Sequence, residues 1–470
     1  MDGDPRRLTD KFTSCCITEG TGTRANCRRV PALAALLLIH CAAATAGTWA
    51  ISQKIPLGTQ IVRILPDPQG TLVYAIDSKN SNLLCVDLPS GSVRKTLYVG
   101  EDPTDFDIDE TGGVLYVANK GPGTGLPGSW RIGVVALTNQ TLVNSYITSV
   151  DAVNVTSGKA GRLYYNSGFD YLNGGDVHAL NTETGADLGS FGVIKTKMVI
   201  FTNKALLFGQ YTYTGNLGAM GAFNVSDDTI TLTDSIDYSP YPYGWDYDNY
   251  SLSGDNKFLA YGEILFNPTN FTDQIGQFPE QVYALNHDGS VAFGQTSIWD
   301  TTTFAAHGNA TQIVPMPFST TIMAFDDKQT VLYAFNTADQ CLYSMEPCTQ
   351  NGIPFRWLTS FGLGTNDAVE SQDPDQDGFT NLQEWLLDSN PTIPTPAFLI
   401  QWIPAYDVMA GKTSPRRWYG LQRSATVGFG AGYTAYEAQG TGTNLVFDVT
   451  ADVLVHQFPW AFYRLQPHVY

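Results

Sequence analysis

Basic residues, cysteines, long apolar runs and local enzyme motifs are all scarce in this sequence of 470 residues. Lys and Arg number 26 against 45 Asp and Glu, for a formal charge of −19. That field repels nucleic acid and anionic membrane surfaces, and favours solubility and cations. Of the seven cysteines, Cys15, Cys16, Cys27 and Cys41 fall before residue 46, so a disulfide scaffold is excluded. Cys85, Cys341 and Cys348 remain, and the sequence leaves open whether Cys341 and Cys348 pair across a turn. The apolar run at 30–46 is too short and too Ala-rich to be a good membrane span. No Gly-x-Ser-x-Gly, His-Glu-x-x-His, Cys-x-x-Cys-His or phosphate-binding loop is present. Gly123-Thr-Gly125-Leu-Pro-Gly128 matches a dinucleotide fingerprint in letters only, because Pro127 sits inside it and a strand rather than a helix follows.

What is there begins with a targeting pattern. Arg24, Arg28 and Arg29 precede the apolar run, and Ala44-Thr45-Ala46 is a small-x-small cleavage site, so residues 1–46 read as a signal peptide. Removing six of the 26 basic and four of the 45 acidic residues leaves 20 against 41. The expected product is secreted, cell-surface or periplasmic, with no membrane span after the signal is removed. Six Asn-x-Ser/Thr sequons, at Asn139, Asn154, Asn224, Asn249, Asn270 and Asn309, are ordinary in a Thr/Asn-rich chain.

One stretch specifies its chemistry by spacing alone. In Asp373-Pro-Asp375-Gln-Asp377-Gly378-Phe379-Thr-Asn381-Leu-Gln-Glu384, carboxylates stand at positions 1, 3, 5 and 12 and Gly at 6. Phe379 offers its backbone carbonyl at position 7 and Asn381 a polar side chain at 9. An all-oxygen set of this spacing suits Ca²⁺, with Glu384 able to bind through both oxygens, whereas Mg²⁺ demands a tighter octahedron. The alternative is an acidic Asx-rich turn without metal.

From about residue 48 to 364 helical periodicity is missing, and short Val/Leu/Tyr-rich runs alternate with Gly, Asn, Asp and Ser turns. One run recurs six times: Leu72-Val-Tyr-Ala-Ile-Asp77, Val114-Leu-Tyr-Val-Ala-Asn119, Arg162-Leu-Tyr-Tyr-Asn166, Ala205-Leu-Leu-Phe208, Lys257-Phe-Leu-Ala-Tyr261 and Val331-Leu-Tyr-Ala-Phe-Asn336. A period of 40 to 50 residues holding four short strands predicts β-propeller blades. The wording resembles the YVTN-repeat β-propellers, most closely at Leu115-Tyr-Val-Ala-Asn119. The sequence count is six blades, with an insertion around Asn267 to Pro279 and an uncertain register from Thr311 to Gly364. Seven stays open, because a strand near Ile51 to Leu57 is placed to close the ring against the last blade.

Residues 365–394 read as a calcium loop and linker. A short helix is expected over Leu382-Gln-Glu-Trp-Leu-Leu387, ended by the stiff Asn390-Pro-Thr-Ile-Pro-Thr-Pro396 run. With no helix expected before it, the loop resembles the single calcium loops of dockerin-like and thrombospondin type 3 linkers. Residues 395–470 read as a small β-sandwich, with Trp418-Tyr-Gly-Leu-Gln422, Asn444-Leu-Val-Phe-Asp448 and Ala461-Phe-Tyr-Arg-Leu-Gln466 among its strands. Arg417-Trp-Tyr-Gly-Leu-Gln422 with Phe462-Tyr-Arg-Leu465 is similar to C-terminal modules of exported bacterial proteins.

Two repeats align where a blade's innermost strand would line the channel: Pro103-Thr-Asp-Phe-Asp107-Ile-Asp109 and Pro242-Tyr-Gly-Trp-Asp246-Tyr-Asp248. Alternation puts Asp107 and Asp109 on one face, and Asp246 and Asp248 likewise. Either they form an acidic channel mouth for a cation or sugar hydroxyls, or they bond turn amides within each blade. Tyr243 and Trp245, in an aromatic run from Tyr238 to Tyr247, either stack on a ligand or pack between blades. His178 and His287 fit turn hydrogen-bonders at equivalent positions better than metal ligands.

The all-β reading that results is an exported calcium-binding propeller acting as a module for an unidentified protein, glycan or small-molecule partner. The alternative is a lactonase- or lyase-like propeller enzyme with its site at the channel mouth, since such sites draw one residue from each of several blades and leave no local motif.

Overall fold

The structure is a computed structural model that describes residues 15–16 and 49–470, apart from 110, 112, 122–129, 160, 168–175, 194–196, 202, 204, 212–218, 227–229, 238–249, 303, 305–309, 395–399, 404–407, 415, 425–432, 441, 443, 449–461 and 469–470. Two compact units divide the chain, one of residues 55–346 and one of residues 1–54 with 347–470.

The larger unit is a propeller of seven blades, each a four-stranded antiparallel sheet. Their first strands are Arg63–Pro66, Pro103–Ile108, Asn154–Ser157, Val199–Ile200, Tyr250–Leu252, Val282–Leu285 and Met323–Asp326. These seven touch one another in a closed circle, the last meeting the first. In blades one to six the sheet order follows the sequence. In the seventh, Met323–Asp326, Val331–Asn336 and Cys341–Pro347 are completed by Trp49–Pro56, the closing strand that the sequence left open.

Burial follows position within a blade. The second strand of blade one, Leu72–Asp77, is buried at all six positions, because neighbouring blades cover both its faces. Its outer strand, Ser92–Tyr98, alternates between exposed and half-buried residues. A continuous apolar run and an alternating one are what those two environments select. Between blades lie the apolar cores. Ile64, Val73 and Ala75 of blade one meet Val331, Tyr333 and Phe335 of blade seven, while Tyr74, Ile76 and Cys85 meet Phe106, Leu115 and Val117 of blade two. At about 1.5–3 kcal/mol for each large side chain removed from water, these interfaces hold the ring together.

A turn device recurs after the first strand. Asp67, Asp109, Ser253 and Asn286 each accept from the backbone N–H five residues on, at Leu72, Val114, Phe258 and Val291. It fixes the hairpin before the buried second strand begins, as Asx- and ST-type side chains do.

Two sequence expectations change here. Residues 267–279 are no insertion, since Asn270–Gln277 is the ordinary fourth strand of blade five. The missing seventh copy is Val282–Pro315, a blade whose second strand Val291–Gly294 lacks the leucine that all six recurring runs contain.

In the smaller unit, Phe355–Ser360 and Asn381–Leu387 are α-helical and Asp367–Ser371 is a 3-10 turn. The expectation of no helix before the acidic loop is thereby corrected: both short segments precede it, packed through Leu358, Val369 and Trp385 into one apolar cluster. Two small sheets follow, one holding Trp418–Ser424, Tyr433–Gln439 and Phe462–His468, the other Ile400–Ile403, Val408–Lys412 and Asn444–Asp448. Cys15–Cys16 pairs with Phe462–His468, and the rest of the expected signal segment lies outside the described residues. Cys85, Cys341 and Cys348 are buried and form no disulfide, so the Cys341–Cys348 pairing is not made.

Candidate functional site

The twelve-residue loop is shaped by its own carboxylates. Asp373 accepts from Gly378 N at 2.9 Å, Asp375 from Asp377 N at 3.2 Å, and Asp377 from Phe379 N at 2.8 Å. These bonds pull the acidic side chains inward, and Gly378 makes the turn with φ of +93°, where a Cβ would be strained. Thr380 then starts the helix with a reciprocal capping box to Gln383, which holds Glu384 against the loop.

What results is a cluster of acceptors with too few donors. Ligand atoms of Asp373, Asp375 and Asp377 lie within 4.8 Å of one another. Asp373 Oδ1, Asp375 Oδ2, Asn381 Oδ1 and Glu384 Oε2 are buried and have no hydrogen-bond partner. Asn381 is fully buried and donates its Nδ2 to Val369 O at 2.7 Å, which turns its oxygen away from that bond. Glu384 is fully buried too, and its carboxyl is pushed up to about 7, first by burial and then by the charges of Asp375, Asp377 and Asp373. Asp375 is raised for the same reasons. Unpaired buried acceptors are costly, and oxygen-only donor sets of this kind suit a hard cation. Of the six residues expected from spacing, Asp373, Asp375 and Asp377 are brought together, and Asn381 and Glu384 each keep a buried oxygen without a partner.

The loop's helix is anchored at its far end. Arg417, 1% exposed, donates from Nε and Nη2 to Trp385 O at 3.1 and 2.6 Å, and its guanidinium stands 3.8 Å over the Trp385 ring. Arg416 forks onto Asp388 at 2.9 and 2.5 Å. A cation at a helix C-terminus opposes the negative end of its dipole. The residue after Glu384 is thus fixed to the residue that precedes the strand Trp418–Ser424.

The second site is the propeller channel. A cavity of about 280 Å³ is lined by first-strand residues of several blades, among them Arg63, Asp105, Asp107, Tyr250 and Tyr283, and by Lys197 just before the fourth blade. A smaller one of about 40 Å³ shares Arg63, Lys197, Tyr250, Tyr283 and Met323, so these five form the wall between the two chambers. Arg63 Nε pairs with Asp105 Oδ1 at 3.0 Å, and Asp105 Oδ2 accepts from Val155 N at 3.1 Å. Asp107 Oδ2 accepts from Ser157 N at 2.7 Å and Thr156 Oγ1 at 3.2 Å. Lys197 keeps some surface open to the cavity yet lies deep in the ring; burial and then the Arg63 cation push its ammonium down to about 7 against the pull of Asp105 and Asp107.

Of the channel residues expected from sequence, Asp107 lines the cavity, while Tyr243, Trp245 and Asp246 lie outside the described residues. Asp109 does not share its face: it accepts from Gly113 N and Val114 N, both at 2.9 Å, in its own blade's turn. Nor is the channel simply acidic, since Arg63 and Lys197 stand among its carboxylates. Neither cation carried a sequence signal, because the ring takes one residue per blade. His178 lies within the third strand of blade three and His287 just after the first strand of blade six, so the two are not equivalent. Ser149, Tyr165 and His178 all converge on Asp187 Oδ2, at 2.5, 2.8 and 3.2 Å. That is no proton relay, because the serine bonds the carboxylate directly and His178 Nδ1 faces both.

No protein-family model matches the chain, and no curated protein matches it. Among solved structures, the β-propeller domain of Myceliophteria thermophila Cps50 (Swd1) is 10% identical, with a TM-score of 0.50, over 63% of this chain and 99% of that one. Kuenenia stuttgartiensis hydrazine synthase is 11% identical, with a TM-score of 0.47, over 60% of this chain and 94% of that one. The likeness is one of fold.

Proposed function

We propose that the protein is an exported, calcium-binding β-propeller that serves as a binding module, its channel taking a small-molecule, glycan or protein partner. The observation that carries the calcium reading is the set of four buried oxygens, on Asp373, Asp375, Asn381 and Glu384, that no protein donor reaches. Bound calcium would supply charge that relieves carboxylate repulsion. Asp373, Asp375, Asp377, Asn381 and Glu384 would hold it with the Phe379 carbonyl, and Arg417 and Arg416 would pass the resulting order to the C-terminal sheet strand. A basic and apolar leader with a small-residue cleavage site supports export, where calcium is plentiful enough for a site of ~10⁻⁴ to 10⁻³ M affinity.

Limited proteolysis of the full chain tests this. Calcium should protect residues 365–390, and Asp377→Ala or Glu384→Ala should abolish that protection while the propeller core stays resistant. Protection indifferent to calcium and to both substitutions would sink the reading.

A second reading, a channel enzyme, is favoured by one observation: Asp105 and Asp107 share a cavity with Arg63 and Lys197 rather than dispersing into separate turns. A screen of small molecules and glycans against the full chain, read by melting shift and then by turnover, separates binding from catalysis.

A further inference from the structure

We propose that Lys197 is a nucleophilic amine of the channel that captures a small 2-oxo acid as an imine. The inference rests on the reading of the channel as a ligand site, and names the ligand's chemistry.

Geometry comes first. Lys197 lies in the wall shared by two chambers and borders the one of about 280 Å³, which has room for a carbonyl compound of a few heavy atoms. Arg63 borders the same chamber, and its planar guanidinium suits a carboxylate. Asp107 borders the same chamber and acts on Lys197 electrostatically, so a proton acceptor shares the cavity with the amine. An electrophilic carbon next to a carboxylate matches this set; an alcohol or sugar hydroxyl offers the amine nothing to attack.

Protonation supports the placement. The groups around the amine are Arg63, Asp105 and Asp107, with Tyr250, Tyr283 and Asp327 on the remaining walls. With the ammonium at about 7, the neutral fraction at neutral pH is roughly a thousandfold that of an ordinary lysine. The neutral amine is the nucleophile in imine formation.

The step balances without a co-reactant. The nitrogen lone pair forms a bond to the carbonyl carbon as the C=O π pair moves to oxygen. Asp107 carries one nitrogen proton to that oxygen, giving the neutral carbinolamine, and then carries the second nitrogen proton to the new hydroxyl. That hydroxyl leaves as water while nitrogen forms the C=N bond.

The test uses the full chain, pyruvate and sodium cyanoborohydride, with acetone as the neutral comparator and peptide mapping that separates Lys197 from Lys195. Lys197 should gain the reduced pyruvate adduct at least tenfold faster than exposed Lys257, with half-maximal rate near pH 7. Lys197→Arg should lose that adduct with the melt retained. Arg63→Lys, which keeps the cation, should slow pyruvate labelling severalfold and leave acetone labelling unchanged. Labelling of Lys197 no faster than that of Lys257 overturns the proposal. So does a melting shift with pyruvate that is never trapped, although that result leaves the channel standing as a ligand site.

Discussion

In the channel, Asp105 has Arg63 Nε and Val155 N on its two oxygens, and Asp107 holds Ser157 N and Thr156 Oγ1; in the loop, Asp373, Asp375 and Glu384 each keep a buried oxygen without a donor. Both regions gather carboxylates in confined space. One is compensated by the protein, across blades one, two and three. The other is left short of positive charge, and its nearest cations, Arg416 and Arg417, are committed to Asp388 and Trp385 O. A compensated cluster holds a fold together, whereas an uncompensated one costs stability until something external arrives.

The largest way to break the comparison is at the anchor behind the loop. Arg417→Met leaves Trp385 O and the buried side of Asp388 without their cation, and should cost the smaller unit about 3–5 kcal/mol. A melt with two transitions would show it, the propeller transition unmoved. Next comes the cation itself. With a Kd of ~10⁻⁴ M and free calcium a hundredfold higher, chelation should remove about 2.7 kcal/mol from the same unit. An equal shift in the propeller transition would erase the contrast between the regions.

Lys197 sharpens the comparison from the other side, because it is the channel's own cost. Its folded-state value, about 7, lies below the ordinary 10.5, so the unfolded chain holds more protons between those limits. Stability therefore rises with pH across that window, and the penalty is full below about 7 and gone near 10.5. Burial alone would set the penalty near 5 kcal/mol, but the side chain's opening to the cavity reduces it, so Lys197→Met should gain roughly 2 kcal/mol at pH 6. Urea unfolding at pH 6 and pH 10 measures the difference. A flat profile in the parent protein would remove the argument that burial dominates there.

How far each region was legible follows from how its residues are spaced along the chain. The loop's acidic residues sit within twelve positions, so spacing alone singled out Asp373, Asp375 and Asp377, whose ligand atoms lie within 4.8 Å of one another. The blades were legible through their buried second strands, where coverage on both faces selects an apolar Leu-Tyr run. The sixth blade escaped because Val291–Gly294 reads Val-Ala-Phe-Gly, with neither leucine nor tyrosine. Arg63, Lys197, Tyr250 and Tyr283 escaped for a different reason: ring closure brings them together, and nothing local in the chain records which blade faces which. Arg417, too, read only as part of a strand motif, since its partner is a backbone carbonyl 32 residues away.

The smallest effect separates two aspartates that alternation had set side by side. Asp109 Oδ1 takes Gly113 N and Val114 N, and Oδ2 takes Thr111 Oγ1 at 2.6 Å, all within one hairpin and open to solvent on one side. Asp109→Ala should therefore cost the propeller about 1 kcal/mol, since water replaces part of what is lost. Channel labelling and any ligand-induced melting shift should not move. Asp107→Asn keeps the side chain's shape but removes the charge beside Lys197, so it should slow pyruvate labelling with little loss of stability. If the two variants instead behaved alike, Asp107 would be only a structural fastener, and Asp105 would be left as the second-blade carboxylate that acts on Lys197.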